Sequence, residues 1–283
     1  MAVQVPAVRM RRLGTELRRM REKRGESGEF VAAAVGMSQP KITRMENGRG
    51  AKAEDVKTLL EYYQCAEELA AVLMEILRPT RQRGWWQGYA DTLHPLYTDL
   101  ITLEADASSI HTYEAAFVPG LLQTPDYTRE IITKLNFRPD FDIEANVDVR
   151  TARQAVLTRP QKPLEVWAVI QEAALKTKLG PGIMQGQLDR LLQLARKPTI
   201  NLQIMPDDAS PHPGMNGAFA VLGFPQSRDL DLVLLSTLLD SVWVDKPADV
   251  ELYRAKFTEV TAEALPIEAS LAFITETRDR LTT

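Results

Sequence analysis

The spacing of apolar residues divides the chain into two parts. In the first 80 residues, apolar side chains recur at intervals of three and four, which places them on one face of successive helices. After about residue 160, short runs of β-branched and apolar residues are bounded by proline, as strands often are. The pattern therefore predicts an all-α domain over residues 1–80 and an α+β domain over residues 81–283.

Five helices are predicted in the first part. They cover residues 11–24, a short segment that ends before 36, and residues 38–46, 53–63 and 67–78. Proline disfavours helical backbone in the residue before it, so Pro79 ends the last helix near Arg78. The stretch from Arg78 to Gly84 is therefore predicted to be a linker.

The second part is predicted to mix helices with strands. The predicted helices cover residues 98–110, 144–158 and 184–195, a helix that opens at Thr124 and Pro125, and two more after Val250. The predicted strands cover residues 164–170, 200–206, 217–224 and 231–236, with residues 241–245 as the return strand of a hairpin. The sheet is predicted to be mostly antiparallel, and the strand order stays open.

Residues 27–49, SGEFVAAAVGMSQPKITRMENGR, have the layout of a helix-turn-helix. Gly36 suits the left-handed backbone that the turn between the two helices needs. Ser38 is a good N-cap, whose hydroxyl can accept a backbone N–H of the second helix. Pro40 falls in the first turn of that helix, where a missing N–H costs little.

The second of these helices has a narrow apolar stripe, formed by Ile42 and Met45, and a polar opposite face. That face presents Gln39, Lys41, Thr43 and Arg44. A helix of this kind can contact base edges in the major groove of DNA. The alternative interpretation is an αα-hairpin of an ordinary bundle, in which the lysine and arginine are merely solvated.

Charge is distributed unevenly between the two parts. Residues 1–52 contain 12 lysines and arginines and 5 acidic residues, a net charge of +7. The whole chain carries −4, so residues 53–283 carry −11. A basic end on an acidic protein indicates a nucleic-acid-binding module beside a part with another partner. The arginines of residues 11–24 could contact phosphates without sequence preference, or form a solvated helix face.

The run SQPKITRMENG resembles the S-Q-x-x-[IV]-[ST]-x-x-E-x-G signature of Xre/Cro-type repressors, whose DNA-binding domain is a five-helix fold of the lambda-repressor type. The matching residues are Ser38, Gln39, Ile42, Thr43, Glu46 and Gly48. One departure is Gly28, where the family often has a glutamine. A phosphate contact from that glutamine side chain is therefore lost.

The resemblance implies roles for individual residues. The residues expected to face base edges are Gln39, Lys41, Thr43 and Arg44. Those expected at the DNA phosphates are Ser27, Ser38, Asn47 and Arg49. Glu46 is expected to form an internal ion pair with Arg21 of the first helix. Proteins of this class bind double-stranded DNA as homodimers, so a pseudo-palindromic operator is expected.

Catalytic and metal-binding patterns are absent from the sequence. There is no G-x-S-x-G, H-E-x-x-H or G-x-x-x-x-G-K-[ST] motif, and three scattered histidines with one cysteine offer no zinc pattern. The best candidate for chemistry is Asp207, Asp208 and His212 in the loop PDDASPHPG, although an ordinary surface turn has the same composition. We therefore predict a protein that is not an enzyme and has no cofactor.

Trp85, Trp86 and Tyr89 lie close together after the predicted linker. Tryptophan and tyrosine concentrate in binding hot spots, which favours a partner or ligand surface. Large aromatic residues also serve cores, so these three could instead pack the linker onto the second domain. Both interpretations stay open.

The second part resembles the uncharacterised C-terminal domain of a set of actinomycete regulators, described as antitoxin-like or WhiJ-like. The shared segments are RGWWQGYAD, YEAAFVPGLLQTPDY, QEAAL and HPGMNGAFAVLGF. The resemblance implies a DNA-binding repressor that is often encoded beside a small acidic partner protein, which modulates it through this domain. It implies no catalytic residue.

Together these features predict a sequence-specific transcriptional regulator, with repression preferred to activation. The second domain would supply dimerisation, partner binding or effector sensing. Two further hypotheses stay open, namely an antitoxin-like protein that binds a small partner and autoregulates its operon, and a sensor of small molecules. A cytoplasmic protein without membrane contact is expected, because the sequence contains no bilayer-spanning apolar run and no signal-peptide core.

Overall fold

The computed structural model describes residues 8–77, 95–135, 142–225, 228–236 and 241–281. Its contacts divide the chain into two compact units, Met1–Arg83 and Gly84–Thr283. The linker predicted from Arg78 to Gly84 lies outside the described residues, as do Trp85, Trp86 and Tyr89. Within the described part of the chain, no helix is both long and apolar enough to cross a membrane.

The first unit is helical, as predicted, and its described residues form five helices. They are α1 Val8–Lys23, α2 Gly28–Ala34, α3 Gln39–Glu46, α4 Ala53–Tyr62 and α5 Glu67–Ile76. Side chains at most 1% exposed form the core, namely Leu13, Leu17, Val31, Ile42, Met45, Val56, Leu59 and Leu73. Short helices are marginal in water, so packing of these apolar faces supplies most of their stability.

Two glycines allow α1 and α3 to pack closely. A Cβ atom on Gly14 of α1 would lie 2.5 Å from the carbonyl oxygen of Glu46 and 2.7 Å from that of Met45. Gly48 follows α3 with a φ of +70°, and a Cβ atom there would lie 2.8 Å from the backbone of α1. A side chain at either position would push the two helices apart, and Gly48 also needs a left-handed backbone.

The second unit combines helices with a sheet, so the predicted α+β class is confirmed. Its helices are α6 Pro95–Asp106, α7 Pro125–Leu135, α8 Ile143–Arg153, α9 Glu172–Leu175, α10 Ile183–Leu194, α11 Pro247–Glu263 and α12 Ile267–Arg280. Its strands are β1 Ser109–Glu114, β2 Glu165–Gln171, β3 Ile200–Met205, β4 Phe219–Gly223, β5 Leu232–Ser236 and β6 Ser241–Val244.

The strands lie in the order β3-β2-β1-β4-β5-β6. The pairs β1–β2 and β2–β3 are parallel, whereas β1–β4, β4–β5 and β5–β6 are antiparallel. The prediction of a mostly antiparallel sheet is confirmed, and β5 and β6 form the predicted hairpin. The three parallel strands end at one edge of the sheet, and β4 begins at that same edge because Phe219 pairs with Tyr113.

The predicted helix over residues 98–110 is too long at its C-terminal end. The helix α6 ends at Asp106, and strand β1 begins at Ser109. The strand reads SIHTYE and contains no apolar run, so the local pattern does not indicate it. Pairing with β2 on one side and β4 on the other makes it a central strand, which is a tertiary constraint.

A buried ion pair joins α6 to α8. Arg153 donates two hydrogen bonds to the carboxylate of Glu104, at 2.6 and 2.8 Å, and each side chain is 5% exposed. The hydroxyl of Tyr97 accepts a further hydrogen bond from Arg153 at 2.5 Å. Burial opposes the charge on Arg153, but the charges and hydrogen bonds of Glu104 and Tyr97 together outweigh it and raise the pKa of the guanidinium. Arg153 therefore keeps its charge inside the unit.

Candidate nucleic-acid interface

The helices α2 and α3 and the turn between them form the predicted helix-turn-helix. The helix α2 ends at Ala34, and Gly36 then takes the left-handed conformation with a φ of +69°. The amide of Met37 donates to the carbonyl of Ala32 at 2.8 Å, which closes the turn. The chain is thereby redirected within four residues, because glycine adopts this backbone without steric cost.

The two serine N-caps behave differently. The hydroxyl of Ser27 accepts the amide of Phe30 at 3.1 Å and caps α2. Ser38 stands at the N-cap position of α3, but its hydroxyl makes no capping hydrogen bond, contrary to our expectation. The reason is local, since Pro40 has no N–H and the amide of Lys41 donates to the carbonyl of Ser38 at 2.9 Å. The exposed hydroxyl of Ser38 is therefore not used by α3.

The helix α3 buries a narrow stripe and exposes the opposite face, as its pattern predicts. Ile42 and Met45 are 1% and 0% exposed. The opposite side carries exposed side chains that we call the recognition face, namely Gln39, Thr43 and Arg44. Arg44 forms no ion pair with any residue that the structure describes. This face is polar, exposed and positively charged.

Lys41 is half-buried beside the recognition face, and an acidic residue of α4 neutralises its charge. Its Nζ lies 2.6 Å from Oδ1 of Asp55, whose side chain is 15% exposed. The pair links the first turn of α3 to the first turn of α4. Sequence reasoning did not find Asp55, because 14 residues and a loop separate it from Lys41. One of the three ammonium donors of Lys41 is therefore engaged within the unit.

Glu46 lies at the end of α3 and contacts two arginines of α1. Arg21 donates to its two carboxylate oxygens at 2.6 and 2.9 Å. Arg18 approaches the same carboxylate at 3.5 Å. The hydrogen bond to Glu46 raises the pKa of Arg21. This two-pronged geometry fixes the C-terminal end of α3 against α1, and so orients the recognition face.

Asn47 and Arg49 follow α3 on the surface of the unit. Asn47 is the C-cap of α3, and its side-chain oxygen accepts a hydrogen bond from Arg18 at 2.9 Å. Arg49 is exposed, and its amide donates to the carbonyl of Arg44 at 2.8 Å.

At the other end of the site, Gly28 faces α3, since a Cβ atom there would lie 4.0 Å from Cγ of Gln39.

Several arginines in α1 and directly after it are engaged within the unit. Arg19 contacts Glu16 at 2.9 Å, and Arg24 contacts Glu26 at 3.0 Å. Arg24 also lies over the ring of Tyr62, 5.0 Å from its centre. Much of the positive charge in this region is therefore compensated by nearby carboxylates. The exposed charges of Arg44 and Arg49 consequently matter more for an anionic partner than the number of basic residues alone suggests.

The loop after β3 holds the three residues that we proposed as the best candidate for chemistry in the second unit. Asp207 and His212 line a common cavity, whereas Asp208 is exposed and does not line it. Burial lowers the pKa of His212. Among the described residues, no three His, Cys, Asp or Glu side chains are grouped to hold a metal ion.

The geometry of α2, the turn and α3 defines a helix-turn-helix protein. A family model described as a helix-turn-helix domain matches residues 12–73. The protein is accordingly a DNA-binding regulator. A second model, described as a domain of unknown function (DUF5753), matches residues 97–276. The chain therefore belongs to the DUF5753 family. Comparison with curated proteins and with solved structures gave no match.

Proposed function

We propose that the protein recognises a specific DNA sequence by inserting α3 into the major groove. The observation that carries this proposal is the recognition face, whose polar side chains Gln39, Thr43 and Arg44 are exposed above a fully buried stripe. Glutamine can pair with adenine and arginine with guanine through two hydrogen bonds each. Lys41 joins this set when DNA draws its ammonium away from Asp55.

Contacts to the phosphates would hold α3 in register. Ser38 offers a hydroxyl that α3 does not use, at the helix N-terminus where backbone amides favour an anion. Asn47 and Arg49 follow the other end of α3 and are exposed. The oxygen of Ser27 already caps α2 as an acceptor, so its hydroxyl would contact a phosphate only as a hydrogen-bond donor.

We further propose that two copies bind a pseudo-palindromic operator and repress transcription by covering a promoter. Two-fold symmetry places one α3 in each of two major grooves, about one helical turn apart. The protein would act in the cytoplasm. The second unit would supply dimerisation or control, since the net charge of −9 on residues 84–283 disfavours its own contact with DNA.

The resemblance to WhiJ-like and antitoxin-like regulators supports an alternative function. In it, the second unit binds a small protein encoded nearby, and DNA binding serves to autoregulate the operon. Long-range electrostatics counts against an acidic partner, because residues 84–283 are themselves acidic. Co-expression with the neighbouring short reading frame, followed by purification, would give a stable complex if this alternative holds.

Footprinting tests the proposed function directly. Full-length protein is added to DNA fragments from its own upstream region at a stated salt concentration with non-specific competitor. We expect a discrete footprint and a preference of roughly 10³-fold or more over competitor DNA. Weak binding that depends steeply on salt and shows no footprint would contradict a sequence-specific regulator.

Replacement of Arg44 by alanine tests the recognition face. We expect Arg44→Ala to weaken operator binding by about 1–3 kcal/mol and to relax the preference at one base pair. The matched control is Arg196→Ala, which removes an exposed arginine from the second unit. Equal operator affinity and an unchanged base preference in the Arg44 variant would contradict its assignment.

A further inference from the structure

A cavity of about 240 Å³ opens at the edge of the sheet where β1, β2 and β3 end. Its walls include Tyr113 from β1, Gln171 from β2, Asp207 from the loop after β3, and His212 from the turn before β4. The carboxyl ends of parallel strands are a common place for ligands. The volume corresponds to roughly eight water molecules at ~30 Å³ each, so an occupant has to be small.

The side-chain donors that Tyr113 and Gln171 contribute to the cavity are already engaged. The Tyr113 hydroxyl donates to Oε1 of Gln171 at 3.0 Å. The amide group of Gln171 donates to the carbonyl of Pro206 at 3.4 Å and to the carboxylate of Asp207 at 3.3 Å. The groups with remaining capacity are acceptors, namely the tyrosine oxygen, the carbonyl and the carboxylate. The lining therefore complements a ligand that donates hydrogen bonds.

The local charge at this edge is negative. Asp207 and Glu172 are joined by a hydrogen bond of 3.0 Å from the Asp207 amide to the Glu172 carboxylate. Lys176 contacts both carboxylates, and its Nζ lies 3.1 Å from Oδ2 of Asp207. One ammonium between two carboxylates leaves an excess of one negative charge.

His212 contributes another group that needs a partner. Its side chain is buried, its residue exposure is 8%, and Nδ1 has no hydrogen-bond partner among the described residues. The imidazole meets the Tyr113 ring edge-on, with 5.6 Å between ring centres. Burial lowers the pKa of His212, which keeps the ring neutral at pH 7 with one N–H and one accepting nitrogen. A buried polar nitrogen without a partner is rare in folded proteins.

We propose that this cavity binds a small primary amine. The ammonium would be held by the carboxylate of Asp207 and the oxygen of Tyr113, with the imidazole of His212 as a further acceptor. Ala209 and Met215 offer apolar surface to the carbon chain of the ligand. The acceptor-rich lining and the negative charge together select a cation over a neutral or anionic molecule of equal size.

Calorimetric titration of the full-length protein tests this proposal with three probes of equal length: n-butylamine, n-butanol and butyrate. We expect saturable binding of n-butylamine that is at least about tenfold tighter than that of n-butanol, as for a charge-assisted hydrogen bond. Butyrate is expected not to bind. Absence of saturable n-butylamine binding, or binding of either other probe at equal strength, would overturn the proposal.

Two neighbouring aspartates provide a matched pair of variants. Asp207→Asn removes the cavity carboxylate at nearly constant volume, and should weaken n-butylamine binding at least about tenfold. Asp208→Asn makes the same change one residue away, outside the cavity, and should leave binding unchanged. Equal effects of the two substitutions, or no effect of the first, would overturn the assignment. The titration contains no DNA, so its outcome is independent of the proposed DNA binding.

Discussion

The two units contain ion pairs of similar length and very different surroundings. In the first unit, Lys41 and Asp55 meet at 2.6 Å with side chains 34% and 15% exposed. In the second unit, Glu104 and Arg153 also meet at 2.6 Å, but each is 5% exposed. A buried charge without its partner is expensive, whereas a partly exposed one can exchange its partner for water or a ligand. Exposure therefore separates charges that hold the fold from charges available for binding.

The largest effect is expected from breaking the buried pair. Arg153→Ala leaves the Glu104 carboxylate buried without a partner and should destabilise the second unit by about 3–5 kcal/mol. Urea unfolding followed by tryptophan fluorescence measures this loss, because all four tryptophans lie between residues 85 and 243.

An exposed arginine pair in the same unit serves as the control. Arg129 contacts Glu144 at 2.6 Å with side chains 42% and 63% exposed. Arg129→Ala should leave the unfolding midpoint nearly unchanged, since solvent screens the pair. Similar losses in the Arg153 and Arg129 variants would break the distinction between the two kinds of pair.

Helix packing gives the next largest effect. Gly14→Ala places a Cβ atom 2.5 Å from a carbonyl oxygen of α3, and should destabilise the first unit by about 1–3 kcal/mol. Gly186→Ala is the matched substitution in α10, where a Cβ atom would meet nothing within 4 Å, and should stabilise the second unit by about 0.5–1 kcal/mol. Circular dichroism during urea unfolding measures both changes in the free energy of unfolding. If the two substitutions changed it in the same direction, the packing argument would be contradicted.

The two serine caps should differ by a smaller amount. Ser27→Ala removes a capping hydrogen bond and should cost about 1 kcal/mol of stability. Ser38→Ala removes a hydroxyl that caps nothing, so its stability loss should be clearly smaller, whereas operator affinity should fall. An equal loss of stability in the two variants would mean that the hydroxyl of Ser38 does support α3.

The smallest effect is expected at the surface pair, and it rests on the proposed DNA binding. Asp55→Asn frees Lys41 for a phosphate or base, which should steepen the plot of log affinity against log salt concentration by up to about 0.9. Glu54→Gln makes the same change in net charge one residue earlier, at an exposed position, and is the control. Equal slopes for the two variants would rule out a specific role of the pair.

Much of the first unit could be predicted from the sequence. The five helices follow from apolar spacing, and the exposed and buried sides of α3 follow from the positions of Ile42 and Met45. The contact between Arg21 and Glu46 was expected from resemblance and is present in the structure. The engagement of Lys41 by Asp55 was not predicted, because it depends on how α4 packs against α3.

The sequence by itself determined the helices of the first unit and most strands of the second, because helical periodicity and short runs of β-branched and apolar residues are properties of neighbouring residues. Only the tertiary structure decided that SIHTYE is a central strand, since its pairing partners lie more than 50 residues away. It also decided the cavity, where Tyr113, Gln171 and Asp207 meet at one edge of the sheet. Such groups become neighbours only when strands pair, and no local pattern encodes that distance.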